Sequence, residues 1–356
     1  MKNNFEHITV LKNETVMSGI HSCLSLSENS EGTQRNIIDC TLGGGGHTEH
    51  FISTFFDNSD IHKNDSLQIF GFDQDTVALA AAQERLLPLL NLHNTKLKFV
   101  PVHANFSDLR AQMEALNLGQ NIDAVLADLG VSSPQLDEGS RGFSFRLDGP
   151  LDMRMNSQTT VTAKEILLHS SESELISIFS DFGEEPKSKK MAKAICQDRT
   201  IKPEVFNNTL TFAQYAKAVL CYPEGRTHPA TRVFQALRIA VNRELEALDT
   251  LLDALPFVLK PNGVAAFITF HSLEDRRVKQ RFRAWEKGFS TIEELDALPD
   301  DPFFRPDFVS WGKEKPRGGI TASDVECKKN PRSRSARLRS FYFNRAPSDG
   351  FSKGNK

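Results

Sequence analysis

No run of about 18 apolar residues occurs in the 356-residue chain, so no membrane-spanning helix is expected. The opening stretch, MKNNFEHITVLKNETVMSGI, also lacks the uninterrupted apolar segment of a secretory signal. Cysteine is scarce: Cys23, Cys40, Cys196, Cys221 and Cys327 are scattered, odd in number and form no C-x-x-C pair. Such a set suits reduced thiols in a cytoplasmic protein and argues against a zinc site. Charge of one sign is lacking too. With 43 Lys and Arg against 46 Asp and Glu, the net charge of −3 exerts no global pull on nucleic acid, so any such affinity must be local. No internal repeat is found, and no trio of His, Cys and Asp has metal-ligand spacing, so no metal is expected at His47, His228 or elsewhere. What remains is a soluble globular composition, 39% hydrophobic and 25% charged, long enough for one large domain or two ordinary ones.

Short β-like runs alternate with helical ones. Strands are expected near NIIDCT, LQIFGFD, KLKFVPVH, IDAVLADLG and GVAAFITFH, with helices such as DTVALAAAQERLLPLL and FSDLRAQMEAL between them. That alternation indicates βαβ units and a parallel sheet. The most regular helix is ATRVFQALRIAVNRELEALDTLLDAL, whose Val233, Phe234, Leu237, Val241, Leu245, Leu248 and Leu252 make one buried stripe. LKPNG then stops it before a strand at 264 to 270. Between about 137 and 228 the alternation fails, and the segment reads as helical and polar. The expected organisation is therefore an α/β core of 1–136 and 229–345, an inserted helical domain of 137–228, and a flexible tail of 346–356. The polar stretch DNSDIHKNDS at 57–66 reads as a surface loop.

The segment DCTLGGGGHT, at 39–48, puts four glycines directly behind a strand and ahead of a helix. Glycine lets a ligand lie against the main chain, and a strand–glycine turn–helix is how nucleotide cofactors are usually seated. No Gly-Lys-Ser/Thr follows, so this is not a P-loop. A dinucleotide site or an S-adenosylmethionine site remains. The next strand ends in GFDQD, where Asp73 can accept hydrogen bonds from ribose hydroxyls, while Asp75 suits the N-cap of the following helix. Asp73 lies 30 residues beyond Gly43, and the 57–66 loop accounts for the excess over the usual spacing of about 20. Phe106 in HANFSDL is placed to cover one face of an adenine ring. The fourth strand ends in ADLGVSSPQ, an acid followed by a proline turn where open α/β sheets bind ligands.

In order along the chain, HITVLKNETV, DCTLGGGGHT, DLGVSSPQLDEGSRGFSFRLDGPLDMRM, FGEE, THPATRVFQALRIAVNRELEAL, ITFHSLEDRRVK and NPRSRSARLR closely resemble the bacterial RsmH (MraW) family, from about His7 to Arg339. The resemblance implies a Rossmann-like S-adenosylmethionine-dependent methyltransferase core with an inserted helical domain. It implies N4-methylation of a decoding-centre cytosine in 16S rRNA, within the 30S subunit or its precursor. By motif it places cofactor contacts at Gly45, Gly46 and His47, then at Asp73, Phe106, Asp128 and Gln135. Gly44 stands where relatives often carry Arg or Lys, a departure expected to loosen the loop without removing a contact.

N4 of cytosine is a weak nucleophile because its lone pair is delocalised, so an acceptor for its hydrogens and in-line placement are both needed. Asp128 is the choice for that acceptor. Gln135 follows Pro134 where DNA amino-methyltransferases carry a stacking aromatic, so Phe143 or Phe145 of RGFSF is expected to stack instead, or the RNA presents its base already unstacked. His271 in FHSLEDR could serve as a base, but a hydrogen-bonded structural role is favoured. The segment 313–339 carries nine Lys and Arg against three acids and is expected to face RNA, with PKSKKMAK as a second basic patch. A strand-like ARLRSFYF closes that segment. The competing readings are a nicotinamide-dependent oxidoreductase, which leaves DLGVSSPQ unexplained, and a non-catalytic ribosome-assembly factor retaining the pocket. Oligomeric state stays open, a homodimer being among the arrangements compatible with the sequence.

Overall fold

The computed structural model describes residues 9–24, 32–223, 228–299 and 309–345. The tail expected at 346–356 lies outside them. Contacts divide the chain into two compact units, Met1–Gly130 with Glu246–Lys356, and Val131–Leu245.

The first unit is built on β1 (Gln34–Asp39), β2 (Ser66–Asp73), β3 (Leu97–His103), β4 (Ile122–Asp128), β5 (Leu259–Thr269), β6 (Gly312–Glu314), β7 (Ile320–Thr321) and β8 (Arg337–Phe343). They form one sheet in the order β3-β2-β1-β4-β5-β8-β6, with β7 beside β8. The first five are parallel, and β8 runs antiparallel to β5 with Phe267 opposite Arg339. Order reverses between β1 and β4, so the carboxyl ends of these two strands flank the crevice where such sheets hold ligands. Helices α1 (Lys12–Leu24), α2 (Gly46–Asp57), α3 (Thr76–Leu92) and α4 (Leu109–Ala115) belong to this unit.

Successive strand residues point to opposite faces, and both faces are covered. Ile37, Ala124, Leu126 and Ile268 enter a cluster with Val16 and Ile20 of α1 and Phe51 and Phe55 of α2. Their neighbours Ile38, Val125, Ala127 and Phe267 pack with Leu248, Leu252, Phe282 and Trp285 on the other side. The strands therefore read as near-continuous apolar runs. At the amino ends of the strands, fully buried Arg35 lies 3.3 Å from Asp65 and 3.5 Å from Asp123, and Lys260 also pairs with Asp123.

The second unit is helical. It contains α5 (Ser133–Asp137), α6 (Ala163–His169), α7 (Glu172–Ser177), α8 (Ser188–Asp198), α9 (Thr209–Leu220) and α10 (Ala230–Asn242). Its core gathers Phe143, Met153, Phe179, Met191, Phe206, Phe212 and Leu237. The unit exceeds the expected 137–228 at both ends. On the carboxyl side this is because α10 inserts Val233, Phe234 and Leu237 into the helical core.

The long helix expected from Ala230 onward is broken. Arg243 adopts a left-handed conformation (φ 50°, ψ 40°) and caps α10, and α11 (Glu244–Val258) starts immediately after it. One apolar stripe thus serves two cores, Phe234 and Leu237 in one unit and Leu248 and Leu252 in the other. Three further helices, α12 (Ser272–Glu286), α13 (Ile292–Asp296) and α14 (Asp324–Lys329), complete the described residues of the first unit. Among the described residues no helix is long and apolar enough to cross a membrane.

Candidate active site

After β1 the chain turns sharply between the ends of its two neighbours. Cys40 N–H donates to Leu126 O of β4 at 2.8 Å, Leu42 N–H to Phe72 O of β2 at 2.9 Å, and Gly45 N–H back to Leu42 O at 2.8 Å. Gly45 then enters α2 from a left-handed conformation (φ 75°, ψ 18°), which an L side chain rarely adopts. A Cβ on Gly46 would come within 2.2 Å of Thr9 Oγ1, whereas one on Gly44 would meet nothing within 4 Å. The open surroundings of Gly44 leave room for a side chain at that position.

Three carboxylates converge on this turn from three adjacent parallel strands. Asp73 ends β2; its Oδ2 accepts from Gly43 N–H and its Oδ1 from Asp75 N–H, both at 2.8 Å. Burial pushes its pKa up against those two bonds. Asp75 takes the capping role, accepting from Val77 N–H at 3.0 Å. Asp128 ends β4, with its backbone N–H donating to Thr41 Oγ1 at 2.6 Å. Its Oδ1 is buried and has no hydrogen-bond partner among the described residues. Burial, then the charges of Asp39 and Glu274, raise its pKa well above the carboxylate range. Asp39, at the end of β1 and 3% exposed, accepts from Thr48 Oγ1 at 2.7 Å and Thr41 N–H at 3.2 Å. Burial dominates there and pushes the pKa up to about 6.

Asp39 was not among the residues expected from the sequence. The signal was present, since the acid ends a strand immediately before the glycine turn. His47, in the first turn of α2, is buried with Nε2 3.0 Å from Val10 O and Nδ1 3.8 Å from Asp128 Oδ2. Phe106 opens the turn after β3, half-buried against the sheet core, and Asn105 beside it donates to Gln74 Oε1 at 3.3 Å. Gly45, Gly46, His47, Asp73 and Asp128 are thus gathered at the carboxyl ends of β1, β2 and β4, with Phe106 just past β3. Gln135 belongs to the second unit, 8% exposed, where its Oε1 accepts from Ser132 N–H at 3.0 Å and closes a capping box on α5.

His271 is the N-cap of α12; its Nδ1 accepts from Glu274 N–H at 3.4 Å and its Nε2 lies 3.1 Å from Glu274 Oε1. Of the two phenylalanines expected to stack on a base, Phe143 is 6% exposed inside the helical core and Phe145 is half-buried near the surface. The basic segment 313–339 is only partly available. Arg339 is buried on β8, bonded to Asp275 at 2.7 Å and also to Glu314, and Arg337 lies 3.9 Å from Asp275. Lys328, Lys329, Arg332 and Arg334 remain exposed on α14 and the turn after it. In the second basic patch Lys187 is committed to Leu220 O and lies 4.0 Å over the Tyr222 ring, leaving Lys189, Lys190 and Lys193 exposed on α8.

A parallel sheet with a glycine turn at its switch point and acids ending β1, β2 and β4 is a Rossmann-like arrangement. The decisive comparison is with protein families: the model of the MraW methylase family matches residues 4–344. The chain belongs to the MraW methylase family. It is therefore a methyltransferase, and the oxidoreductase reading is set aside. Among curated MraW-type relatives, the "Ribosomal RNA small subunit methyltransferase H" of a Picosynechococcus species is 40% identical over 342 residues, covering 95% of this chain and 97% of that one. The protein of the same name from Acinetobacter baylyi is 39% identical, with 94% and 97% covered. A Synechococcus relative, again of that name, is 43% identical, with 94% and 92% covered.

Proposed function

We propose that this MraW-family methyltransferase transfers a methyl group from S-adenosylmethionine to N4 of a decoding-centre cytosine in 16S rRNA, in the cytoplasm, on the 30S subunit or its precursor. The observation that carries the cofactor assignment is the cluster of Asp39, Asp73 and Asp128. Burial raises the pKa of all three, and the charge of Asp73 on Asp39 and of Asp39 on Asp128 adds repulsion within the crevice. A ligand bearing a sulfonium and an ammonium relieves that repulsion, so the residues present fit the group. Gly45 and Gly46 admit it against the backbone, Asp73 accepts from ribose hydroxyls and Phe106 covers the adenine. His47 orders the start of α2 beside Asp128. Gln135 joins the set on family resemblance alone.

When bound, S-adenosylmethionine supplies an electrophilic methyl on a good leaving group, so the protein need not activate the donor. The chain has to orient the amine and accept its hydrogens. Asp128 is assigned the second task. Its unsatisfied, buried Oδ1 can accept an amine N–H, and a pKa held above the carboxylate range makes it a better proton acceptor than an exposed aspartate. Orientation accounts for the rest, which in favourable cases lowers a barrier by roughly 7–11 kcal/mol. The exposed Lys328, Lys329, Arg332 and Arg334 are assigned to rRNA phosphates, so binding should weaken as salt rises.

Methylation is tested by incubating the protein with S-adenosylmethionine and 30S subunits from cells lacking the activity, then mapping N4-methylcytidine by mass spectrometry. A methyl on that cytosine is expected. If the protein binds the cofactor yet modifies neither 30S particles, precursors nor naked RNA, the assembly-factor reading replaces this one.

Cofactor affinity should also depend on pH. A cationic ligand favours the ionised form of Asp39, so at pH below about 6 binding must first expel a proton. Affinity is therefore expected to fall as the pH drops through about 6, each bound ligand expelling a proton from Asp39. Titration calorimetry between pH 5 and 8 in buffers of different ionisation enthalpy measures both slope and proton release. A flat profile across that range would contradict the carboxylate role.

A further inference from the structure

The helical unit displays an aromatic stack that its own folding does not use up. Phe234 on α10 is 4% exposed in the helical core. Phe145 packs edge-on against it, with centroids 5.5 Å apart and planes at 74°. His228 lies flat on Phe145, 4.9 Å away with planes at 18°, and is exposed to solvent. The three rings therefore pass from core to surface, each positioned by the one beneath.

The exposed imidazole is held in one orientation and one tautomer. Ala230 N–H donates to its Nδ1 at 3.1 Å, so that nitrogen keeps a lone pair and the proton sits on Nε2. Partial burial, then Lys217 and Arg146, press its pKa down, so the ring is neutral at physiological pH. The Arg146 guanidinium also lies 6.0 Å from the Phe145 centroid. Lys217 and Arg146 are both exposed. A flat neutral ring open to water, backed by a second ring and flanked by two cations, is poor surface chemistry for a protein that binds nothing there. It matches how single-stranded nucleic acid is held, with a base on an aromatic face and phosphates on neighbouring cations.

We propose that His228, backed by Phe145, is a stacking platform for one unpaired nucleobase of the RNA substrate, with Arg146 and Lys217 taking its adjacent phosphates. The assignment rests on the rRNA-methyltransferase reading and adds positioning residues to it. It also separates the two phenylalanines of the RGFSF segment: Phe143 is core, and Phe145 acts through His228. The ring stacks without exchanging a proton, so phenylalanine at position 228 should replace it.

The test compares wild type with His228→Ala, His228→Phe and Phe145→Leu. The first readout is quenching of a single-stranded oligoribonucleotide carrying 2-aminopurine, which needs no methyl transfer. The second is methylation of 30S particles, with KM and kcat separated. His228→Ala is expected to weaken oligonucleotide binding and raise KM by roughly tenfold to a hundredfold, the usual loss for one stacked base. His228→Phe should restore both to within about threefold, kcat should change little, and calorimetric affinity for S-adenosylmethionine should be unaltered. Phe145→Leu should give the His228→Ala defect in weaker form. Unchanged binding and KM in His228→Ala, or a His228→Phe variant as defective as the alanine, would overturn the platform. Wild-type quenching without methylation would instead keep the platform and remove the catalytic reading.

Discussion

Asp73→Ala is expected to weaken S-adenosylmethionine binding by at least a hundredfold while leaving the fold intact. Asp73 acts on two sides of the crevice. Its Oδ2 holds Gly43 N–H, and so the glycine turn, to the end of β2, and its Oδ1 orders the approach to α3 through Asp75 N–H. Its remaining lone pairs are the ones assigned to ribose hydroxyls. Hydrogen bonds to a charged group contribute about 1.5–3 kcal/mol each, so losing two of them alone corresponds to roughly 10² or more in affinity. Asp73→Asn keeps one acceptor oxygen and should lose less. Calorimetry at pH 7.5, above the titration of Asp39, gives the comparison. Undiminished affinity in the alanine variant would count against the whole assignment of the strand ends.

The second large effect concerns stability at the opposite end of the sheet. Arg35 has no exposure, and it faces Asp65 at 3.3 Å and Asp123 at 3.5 Å. Asp123 also accepts from Asn36 N–H at 2.8 Å, and Asp65 from Thr33 N–H at 2.7 Å. One guanidinium thus joins β1 to the residue preceding β2 and to β4. Arg35→Met fills much of the space but leaves two buried carboxylates short of a counter-charge. Removing one partner from such a set costs about 3–5 kcal/mol. The protein's two tryptophans, Trp285 and Trp311, both lie in the sheet core, so their fluorescence during urea unfolding reports this unit selectively. A loss below about 1 kcal/mol would mean that Lys260, already paired with Asp123, suffices to neutralise the group. Adding Asp65→Asn to Arg35→Met should recover part of the loss, because an amide still accepts from Thr33 without carrying charge.

Local rules are what made the sheet and its turn legible from sequence alone. The apolar runs around Ile37, Phe70, Val125 and Phe267 are near-continuous because both faces of a parallel sheet are buried, and that requirement acts residue by residue. Four glycines after a strand, an acid ending the next strand and Asp75 ahead of Thr76 are likewise short-range signals, each set by backbone conformation or capping. Membership of the MraW family was readable for the same reason, since its motifs are contiguous. Tertiary structure decided what depends on distant partners. Arg339 was legible as part of a basic run, yet Asp275 and Glu314 neutralise it from 64 and 25 residues away. The stripe from Val233 to Leu252 has unbroken spacing, and only the left-handed Arg243 shows that its halves enter different cores. Asp39 acquires its raised pKa from burial and from Asp73, the acid that β2 brings beside it. His228 meets Phe145 across 83 residues of chain. Periodicity records which face of an element is buried, but the charge, protonation and stacking of a side chain depend on neighbours that only the packed chain supplies.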